Sequence, residues 1–395
     1  MKRIMLHWLQ KRRDLSMADH SILSPSSMER IIACPPSALE NAGRPDQESE
    51  YAAQGTDAHA LCEAKLREYL GEKVRNPRED LTWYDQEMED CTDDYMTFVA
   101  GQIMEARAKC KDPAIMVEQK LDMTEYGEGM FGTADCVIVA DENLHIIDFK
   151  YGTGVKVSAG DEKKINAQLA CYALGALLIY DCLYEIETVT MTIFQPRLGN
   201  TSSVTVDKVD LLRWGKEVLR PAVTLALKGE GEFQAGDHCR FCKIRDTCRK
   251  RAEYSMELAK YDFRLPSTLE DEEIEEILPR IDDLVNWAND VKEYALKVAI
   301  SGKAWDGWKV VEGKSNRKYK DEEAVAKAVK AAGYDPYEKK VLGITAMTKL
   351  LGKANFNRLL EKLLVKPVGK PTLVPKDDPR PEMRVSAEDD FKEEE

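Results

Sequence analysis

The sequence holds no apolar run long enough to cross a membrane. Spanning a bilayer takes about 18 to 20 consecutive apolar residues. The longest candidate, 169–183, falls short and is broken by Gly175 and Asp181, so a buried helix accounts for it better. The basic opening, MKRIMLHWLQKRRDLSM, lacks the long apolar segment and small-residue cleavage site of a secretory signal. A frayed helical extension over residues 1–23 is expected rather than a nucleic-acid arm, and Met17 opens a plausible alternative start. Without such a signal the expected location is a reducing cytoplasm, where ten cysteines serve as thiols or metal ligands rather than disulfides. A surplus of positive charge is also missing. The net charge of −14 argues against a protein that coats nucleic acid, although it leaves room for one that grips it in a local groove. Internal repeats and long low-complexity segments are absent. What remains, 43% apolar and 32% charged, is a globular composition in a chain of 395 residues.

Along the chain, Ser24-Pro25-Ser26-Ser27 reads as a helix start, and Pro35-Pro36 interrupts the short helix that follows. Residues 50–70 and 84–110 carry helical periodicity. The period then changes: 114–121, 132–140 and 143–150 read as strands, with the last two forming a hairpin around Asp141-Glu142-Asn143. A glycine-rich loop follows, then a helix from about Asp161 to Tyr180, a strand over 188–196 and a helix over 207–230. This order implies an α/β core with a small mixed sheet. A cysteine-rich knot occupies 239–248, and the composition turns acidic and helical after a boundary near 258–266. The expected organisation is an extension over 1–23, a core domain over 24–258, a mainly helical region over 266–365 and a Pro-rich, acidic tail over 366–395.

The chemistry centres on Asp135 and on Asp148-Phe149-Lys150. Alternate residues of a strand share a face, so Asp148 and Lys150 project together, beside Asp135 on the neighbouring strand. Two converging carboxylates make a hard oxygen site suited to Mg²⁺ or Mn²⁺. A nearby lysine can orient a water or stabilise a phosphate. Asp148 interrupts the apolar run His145–Phe149, where an unpaired carboxylate is costly unless it binds something. Alone, however, D-x-K is a common string, and two surface charges on an edge strand would explain it.

In chain order, Gly55-x-x-x-His59, Gly132-x-x-Asp135, Ile146-Ile147-Asp148-x-Lys150 and Gln168-x-x-x-Tyr172 form a combined pattern. Over residues 24–250 it resembles the RecB-like branch of the PD-(D/E)XK nucleases, including helicase–nuclease nuclease domains and CRISPR-associated RecB-like exonucleases. The resemblance implies a restriction-endonuclease-like core and a metal-dependent DNA exonuclease. It implies His59, Asp135, Asp148 and the Phe149 carbonyl as metal ligands, Lys150 as the catalytic lysine, and Gln168 and Tyr172 beside the scissile phosphate. Glu118 on the preceding strand either supports those ligands or is a plain surface residue.

Cys239-x-x-Cys242-x5-Cys248 is a compact thiolate set that needs a fourth ligand for zinc or a cubane cluster. Two candidates stand open: His238, giving a zinc knuckle, or Cys34. Iron–sulfur members of the resembled family place one cysteine before the core and three after it, which implies a [4Fe–4S] cluster on Cys34, Cys239, Cys242 and Cys248. The segment Arg240–Arg251 is locally basic, and Arg240, Lys243, Arg245 and Arg249 are candidate contacts to a DNA backbone. Charge compensation for thiolates explains the same surplus.

Toward the C-terminus, 307–313 reads as a strand. Trp305, Trp308 and Tyr319 interleave there with Lys314, Arg317, Lys318 and Lys320, a pattern read as a solvated hairpin rather than a single-strand surface. The chain as a whole is similar to a phage- or prophage-encoded family, which implies a bacterial host cytoplasm and a part in phage recombination or DNA-end processing. Its partners would be DNA, single-stranded or with free ends, and phage recombination proteins, with no membrane. Two other readings compete. One is a non-catalytic DNA-binding or partner protein on a nuclease scaffold. The other is a zinc-bearing regulatory adaptor.

Overall fold

A strand that is apolar on both faces belongs in the middle of a sheet. Every residue from Leu144 to Phe149 is buried, and this strand is indeed central. The computed structural model describes residues 21–42, 44, 50–161, 163–257, 269–311, 320–331, 336–337 and 341–364. By contacts the chain divides into two units, Met1–Ala295 and Leu296–Glu395.

In the first unit, short helices α1 (Met28–Ala33) and α2 (Ser37–Asn41) precede the long α3 (Glu50–Tyr69) and α4 (Gln86–Lys109). Strands β1 (Ala114–Asp122), β2 (Phe131–Val139) and β3 (Glu142–Phe149) follow, then α5 (Ala167–Tyr180), β4 (Ile186–Gln195) and β5 (Asn200–Asp207). The five strands form one sheet in the order β1-β2-β3-β4-β5, antiparallel except for the parallel pair β3 and β4. A parallel pair needs a crossover, and α5 supplies it. This helix is apolar nearly all round and buried over most of its length, because it lies against the sheet. The architecture is therefore α/β with a five-stranded mixed sheet.

Several boundaries differ from the sequence expectation. Helix α5 starts at Ala167, not near Asp161. The Asn166 side chain caps it by accepting from the Gln168 and Leu169 amides, and Asp161 instead closes a turn by accepting from Lys163 and Lys164. The helix expected over 207–230 is two, α6 (Lys208–Trp214) and α7 (Arg220–Lys228), joined by a π-turn at Gly215–Leu219. Pro221 offers no N–H to an α-helical ladder, so the turn widens there. Strand β5 was not expected at all. Its entry is the left-handed Gly199 at φ 56°, after which Thr, Ser and Val alternate along the edge of the sheet.

After the cysteine knot come α8 (Arg249–Met256) and α9 (Asp271–Ile300), a 30-residue helix with no buried side chain. The expected boundary at 258–266 lies outside the described residues, as do residues 1–20 and the tail over 366–395. In the second unit, α10 (Glu322–Ala331), α11 (Ile344–Leu351) and α12 (Lys353–Leu360) bury Ala326 and Phe356. The strand expected over 307–313 is not formed in its described part: Trp305 and Trp308 make a single bridge across a turn. Residues 312–319, with Lys314, Arg317, Lys318 and Tyr319, lie outside the described residues. No described helix is long and apolar enough to cross a membrane.

Candidate functional site

The β2–β3 hairpin sets the geometry. Its last ladder pair is Cys136 with Ile147. One step further, Asp135 and Asp148 stand opposite each other, and the Asp135 Oδ2 accepts the Phe149 backbone N–H at 2.7 Å. His59 on α3 approaches from above, its Nδ1 3.3 Å from the other Asp135 oxygen, and its ring meets Phe149 edge-on at 5.4 Å. Asp57, two residues before His59 on that helix, accepts the Trp83 N–H at 2.7 Å. Gly132 opens β2 where an added Cβ would stand 2.6 Å from the Pro25 ring and 3.0 Å from Tyr172, so the small residue lets the hairpin pass beneath both.

Glu118 joins this group from β1. Its backbone takes φ 50°, a left-handed conformation costly for a glutamate. Just before it, Arg67 donates to the Val117 carbonyl at 3.0 Å and pins the strand. Ligating atoms of His59, Glu118 and Asp135 lie within 4.8 Å of one another. Sequence reasoning left Glu118 undecided; the positive φ that turns it toward the site has no signature in the sequence.

Asp148, Lys150, Gln168 and Tyr172 form a second, adjoining network. Lys150 Nζ lies 3.0 Å from Asp148 Oδ2 and donates to Gln168 Oε1 at 3.1 Å. Gln168 Nε2 donates to Asp148 Oδ1 at 3.1 Å and to the Tyr172 hydroxyl at 3.3 Å. Asp148 Oδ2 is buried and makes no hydrogen bond, although the Lys150 ammonium pairs with it at 3.0 Å. All the residues expected in the carboxylate site are thus brought into two touching groups, with Asp148 turned to Lys150 and Asp135 turned to His59.

The protonation pattern follows from burial and charge. Burial pushes the Asp148 carboxyl up and nearby Asp135 adds to this, against the opposing charge of Lys150. Burial acts on Asp135 in the same direction, but His59, through its charge and hydrogen bond, holds that carboxyl below its ordinary value. Burial disfavours a charged His59, yet Asp135 and then Asp148 raise it to about 9. Glu118 is pushed up to about 7 by burial and by Asp135. Burial, and then Asp148, raise the Tyr172 hydroxyl. A cluster with more carboxylates than cations, shifted in opposite directions, is what a bound cation would relieve. One imidazole nitrogen and several carboxylate oxygens fit a hard divalent ion, Mg²⁺ or Mn²⁺.

In the same unit, the N-terminal helices meet the cysteine knot. Cys34, Cys239 and Cys242 are buried and Cys248 is partly so. The Gln234 amide donates to Cys34 Sγ at 3.5 Å, and Asn41 Nδ2 donates to Cys242 Sγ at 3.3 Å. Burial raises the Cys34 thiol, but hydrogen bonds from His238, Gln234 and Ser37 bring it below its ordinary value. His238 Nε2 donates to the Gln234 carbonyl at 3.0 Å, so this nitrogen carries the hydrogen and has no lone pair for a metal.

The basic residues of the knot divide. Arg240 and Arg249 are exposed. Lys243 donates to the Arg44 carbonyl at 2.7 Å, and Arg245 pairs with Asp290 of α9 at 3.2 Å. Arg251 pairs with the same aspartate. A cleft of about 650 Å³ separates Gly154 and Val155, in the loop after Lys150, from Arg240 of the knot and Asn286 and Asp290 of α9.

Among solved structures, one titled "Crystal structure of SSO0001" matches at 13% identity and a TM-score of 0.23, covering 50% of this chain and 98% of that chain. An overlap that loose does not bear on the fold. The match to a family is extensive: residues 20–381 fit the family described as "Protein of unknown function (DUF2800)", and the chain belongs to that family.

Proposed function

We propose that this protein is a metal-dependent DNA exonuclease of the RecB-like PD-(D/E)XK type, acting on single-stranded DNA or free DNA ends in phage recombination or DNA processing. One observation carries the reading: the buried Asp148 Oδ2, with no hydrogen bond and the Lys150 ammonium 3.0 Å away, adjoins the cluster of His59, Glu118 and Asp135. Three clustered carboxylates beside one ammonium and one imidazole favour a further cation there. His59, Asp135, Asp148 and the Phe149 carbonyl would hold the ion, with Glu118 near enough to join them. When bound, Mg²⁺ or Mn²⁺ supplies positive charge to the phosphate and eases deprotonation of a water.

The chain's own groups do the rest. Lys150 places its ammonium where charge develops on the phosphate, and Gln168 fixes that ammonium from the other side. The Tyr172 hydroxyl, held by Gln168, faces the same spot. His59 is protonated at neutral pH in the ion-free protein and must lose that proton to act as a ligand, so ion binding strengthens as pH rises toward about 9. Arg240 and Arg249 are available to a DNA backbone, whereas Lys243 and Arg245 already serve other groups.

For the knot we infer a [4Fe–4S] cluster on Cys34, Cys239, Cys242 and Cys248, linking the two ends of the core. The Gln234 amide on Cys34 and the Asn41 amide on Cys242 already join the first cysteine's helix to the knot. The test is incubation of anaerobically purified protein with end-labelled single- and double-stranded DNA and Mn²⁺ or Mg²⁺. Metal-dependent shortening from the ends is expected. DNA binding without cleavage under any of these conditions supports the non-catalytic scaffold instead.

A further inference from the structure

Arg30 is a buried cation without an acid. It lies on α1 with only 8% of its surface exposed, and its Nη1 donates to the Ser37 carbonyl and the Ser37 hydroxyl, both at 2.8 Å. Among the described residues no carboxylate pairs with it. A guanidinium does not lose its proton inside a protein. A buried charge without a counter-charge is costly, so something anionic should face it. The Arg30 carbonyl accepts the Cys34 backbone N–H at 2.8 Å, and Ser37, which the guanidinium holds, also accepts from Asn41, whose amide donates to Cys242 Sγ at 3.3 Å. Neutral thiols cannot compensate a cation; thiolates can, and the thiolate is the form that binds metal.

Asn41 completes the arrangement. Its Oδ1 accepts the Lys243 backbone N–H at 2.7 Å, which fixes which end of the amide is which. Its Nδ2 is thereby directed at the Ser37 carbonyl, at 2.6 Å, and at Cys242 Sγ, at 3.3 Å. Ser37 thus joins Arg30 and Asn41, and Asn41 reaches the Cys242 sulfur from the N-terminal helices.

We propose that Arg30 is the built-in counter-charge of a thiolate metal centre at Cys34 and Cys242, and that Asn41 is its hydrogen-bond donor. The proposal rests on reading the knot as a metal site, and adds which residues outside the ligand set sustain it. Both are positioning residues: neither ligates. Removing such a supporting partner weakens metal affinity by about 10- to 100-fold.

The test compares wild type, Arg30→Met, Arg30→Lys and Asn41→Ala. Iron and zinc are measured in each protein as purified. Each is then stripped, reloaded with Zn²⁺ alone, and followed for release to EDTA at one fixed pH. Arg30→Met is expected to release Zn²⁺ at least 10-fold faster than wild type, Asn41→Ala several-fold faster, and Arg30→Lys, which keeps the charge, close to wild type. Thermal unfolding separates this from packing. Stripped Arg30→Met should melt at or above stripped wild type, because it no longer buries an uncompensated cation, and below wild type once both are loaded. Wild-type release from both Arg30→Met and Asn41→Ala overturns the proposal, as does an equal loss of melting temperature in the stripped and loaded states. Should Arg30→Met fail to fold, release from Asn41→Ala decides: faster release supports the proposal and wild-type release overturns it. A wild-type protein that carries no iron or zinc and takes up no Zn²⁺ overturns the reading of the knot itself, a result distinct from either.

Discussion

The Asp135 carboxylate accepts the Phe149 backbone N–H at 2.7 Å, one step beyond the last ladder pair of β2 and β3. A side chain proposed for catalysis therefore also closes the hairpin that carries it. Asp148, opposite, is different: one of its oxygens is buried and makes no hydrogen bond.

That difference gives the first prediction. Asp135→Ala and Asp148→Ala should each abolish metal-dependent DNA cleavage, but at unequal cost. Asp135→Ala orphans a backbone N–H and strips His59 of its partner, and should lose about 1 to 3 kcal/mol in urea unfolding. Asp148→Ala should lose less, because the carboxylate it removes is disfavoured by burial and by Asp135, which offsets the ion pair with Lys150 that goes with it. Wild-type cleavage by both variants would remove the active-site assignment.

Lys150 should separate binding from turnover. Its ammonium touches Asp148 and Gln168. Lys150→Ala is expected to keep Mn²⁺ binding by calorimetry and to cleave about 10²- to 10³-fold more slowly. Equal loss of metal affinity would make the lysine structural.

Glu118 stores strain at φ 50°. Glycine adopts that conformation freely, so Glu118→Gly should stabilise the metal-free protein by about 1 kcal/mol while weakening Mn²⁺ binding. Urea unfolding and calorimetry on one preparation read both effects. A variant less stable than wild type would show that the Glu118 side chain holds β1 in place.

How much of this was legible in the sequence depended on range. The β2–β3 hairpin, and Asp148 sharing a face with Lys150, followed from strand periodicity and one short connection, both local. Strand β5 was missed because its Thr and Ser residues resemble a loop when nothing shows that β4 lies beside them. The helix over 207–230 read as continuous because its apolar spacing survives the π-turn that Pro221 imposes. The two-group division of the carboxylate site was not legible either. Whether Asp148 turns to Asp135 or to Lys150 is decided by Gln168, on a helix that follows the hairpin. Arg30 and Asn41 gave no signal, since a buried arginine is recognisable only once its surroundings are known.

Acid sensitivity should trace in part to His145. This side chain is 8% exposed and bonded to the Thr192 hydroxyl at 2.8 Å, and burial lowers it to about 4. In the unfolded chain a histidine titrates near 6.5. Between those values the unfolded state binds a proton that the folded state refuses, so stability is complete above about pH 6.5 and falls as pH drops toward 4. The loss is on the order of 3 kcal/mol. His145→Gln can keep a bond to Thr192 without titrating, and its unfolding free energy should fall less steeply over this range than that of wild type. Parallel curves would place the acid sensitivity in the carboxylates alone.

The last prediction concerns the two ends of the core domain. Cys34 lies at the end of α1, and Cys242 lies in the knot after all five strands. Hydrogen bonds already tie the two regions, from Gln234 to Cys34 and from Asn41 to Cys242. If a cluster spans them, either cysteine is equally necessary, although one sits far outside the compact motif. Cys34→Ser should therefore match Cys242→Ser in three respects: loss of iron, loss of the visible thiolate-to-iron absorbance, and a lowered melting temperature for the whole core. The third follows because metal binding to a site formed only on folding contributes its free energy to folding. His238→Ala should keep its iron, since Cys34 and not the imidazole is the expected fourth ligand. Iron analysis, absorption spectra and melting curves on the three variants decide the matter. A Cys34→Ser protein with full iron content and wild-type melting, beside a His238→Ala protein that has lost its metal, would reassign the fourth ligand to His238 and favour the zinc-bearing adaptor over the clustered nuclease.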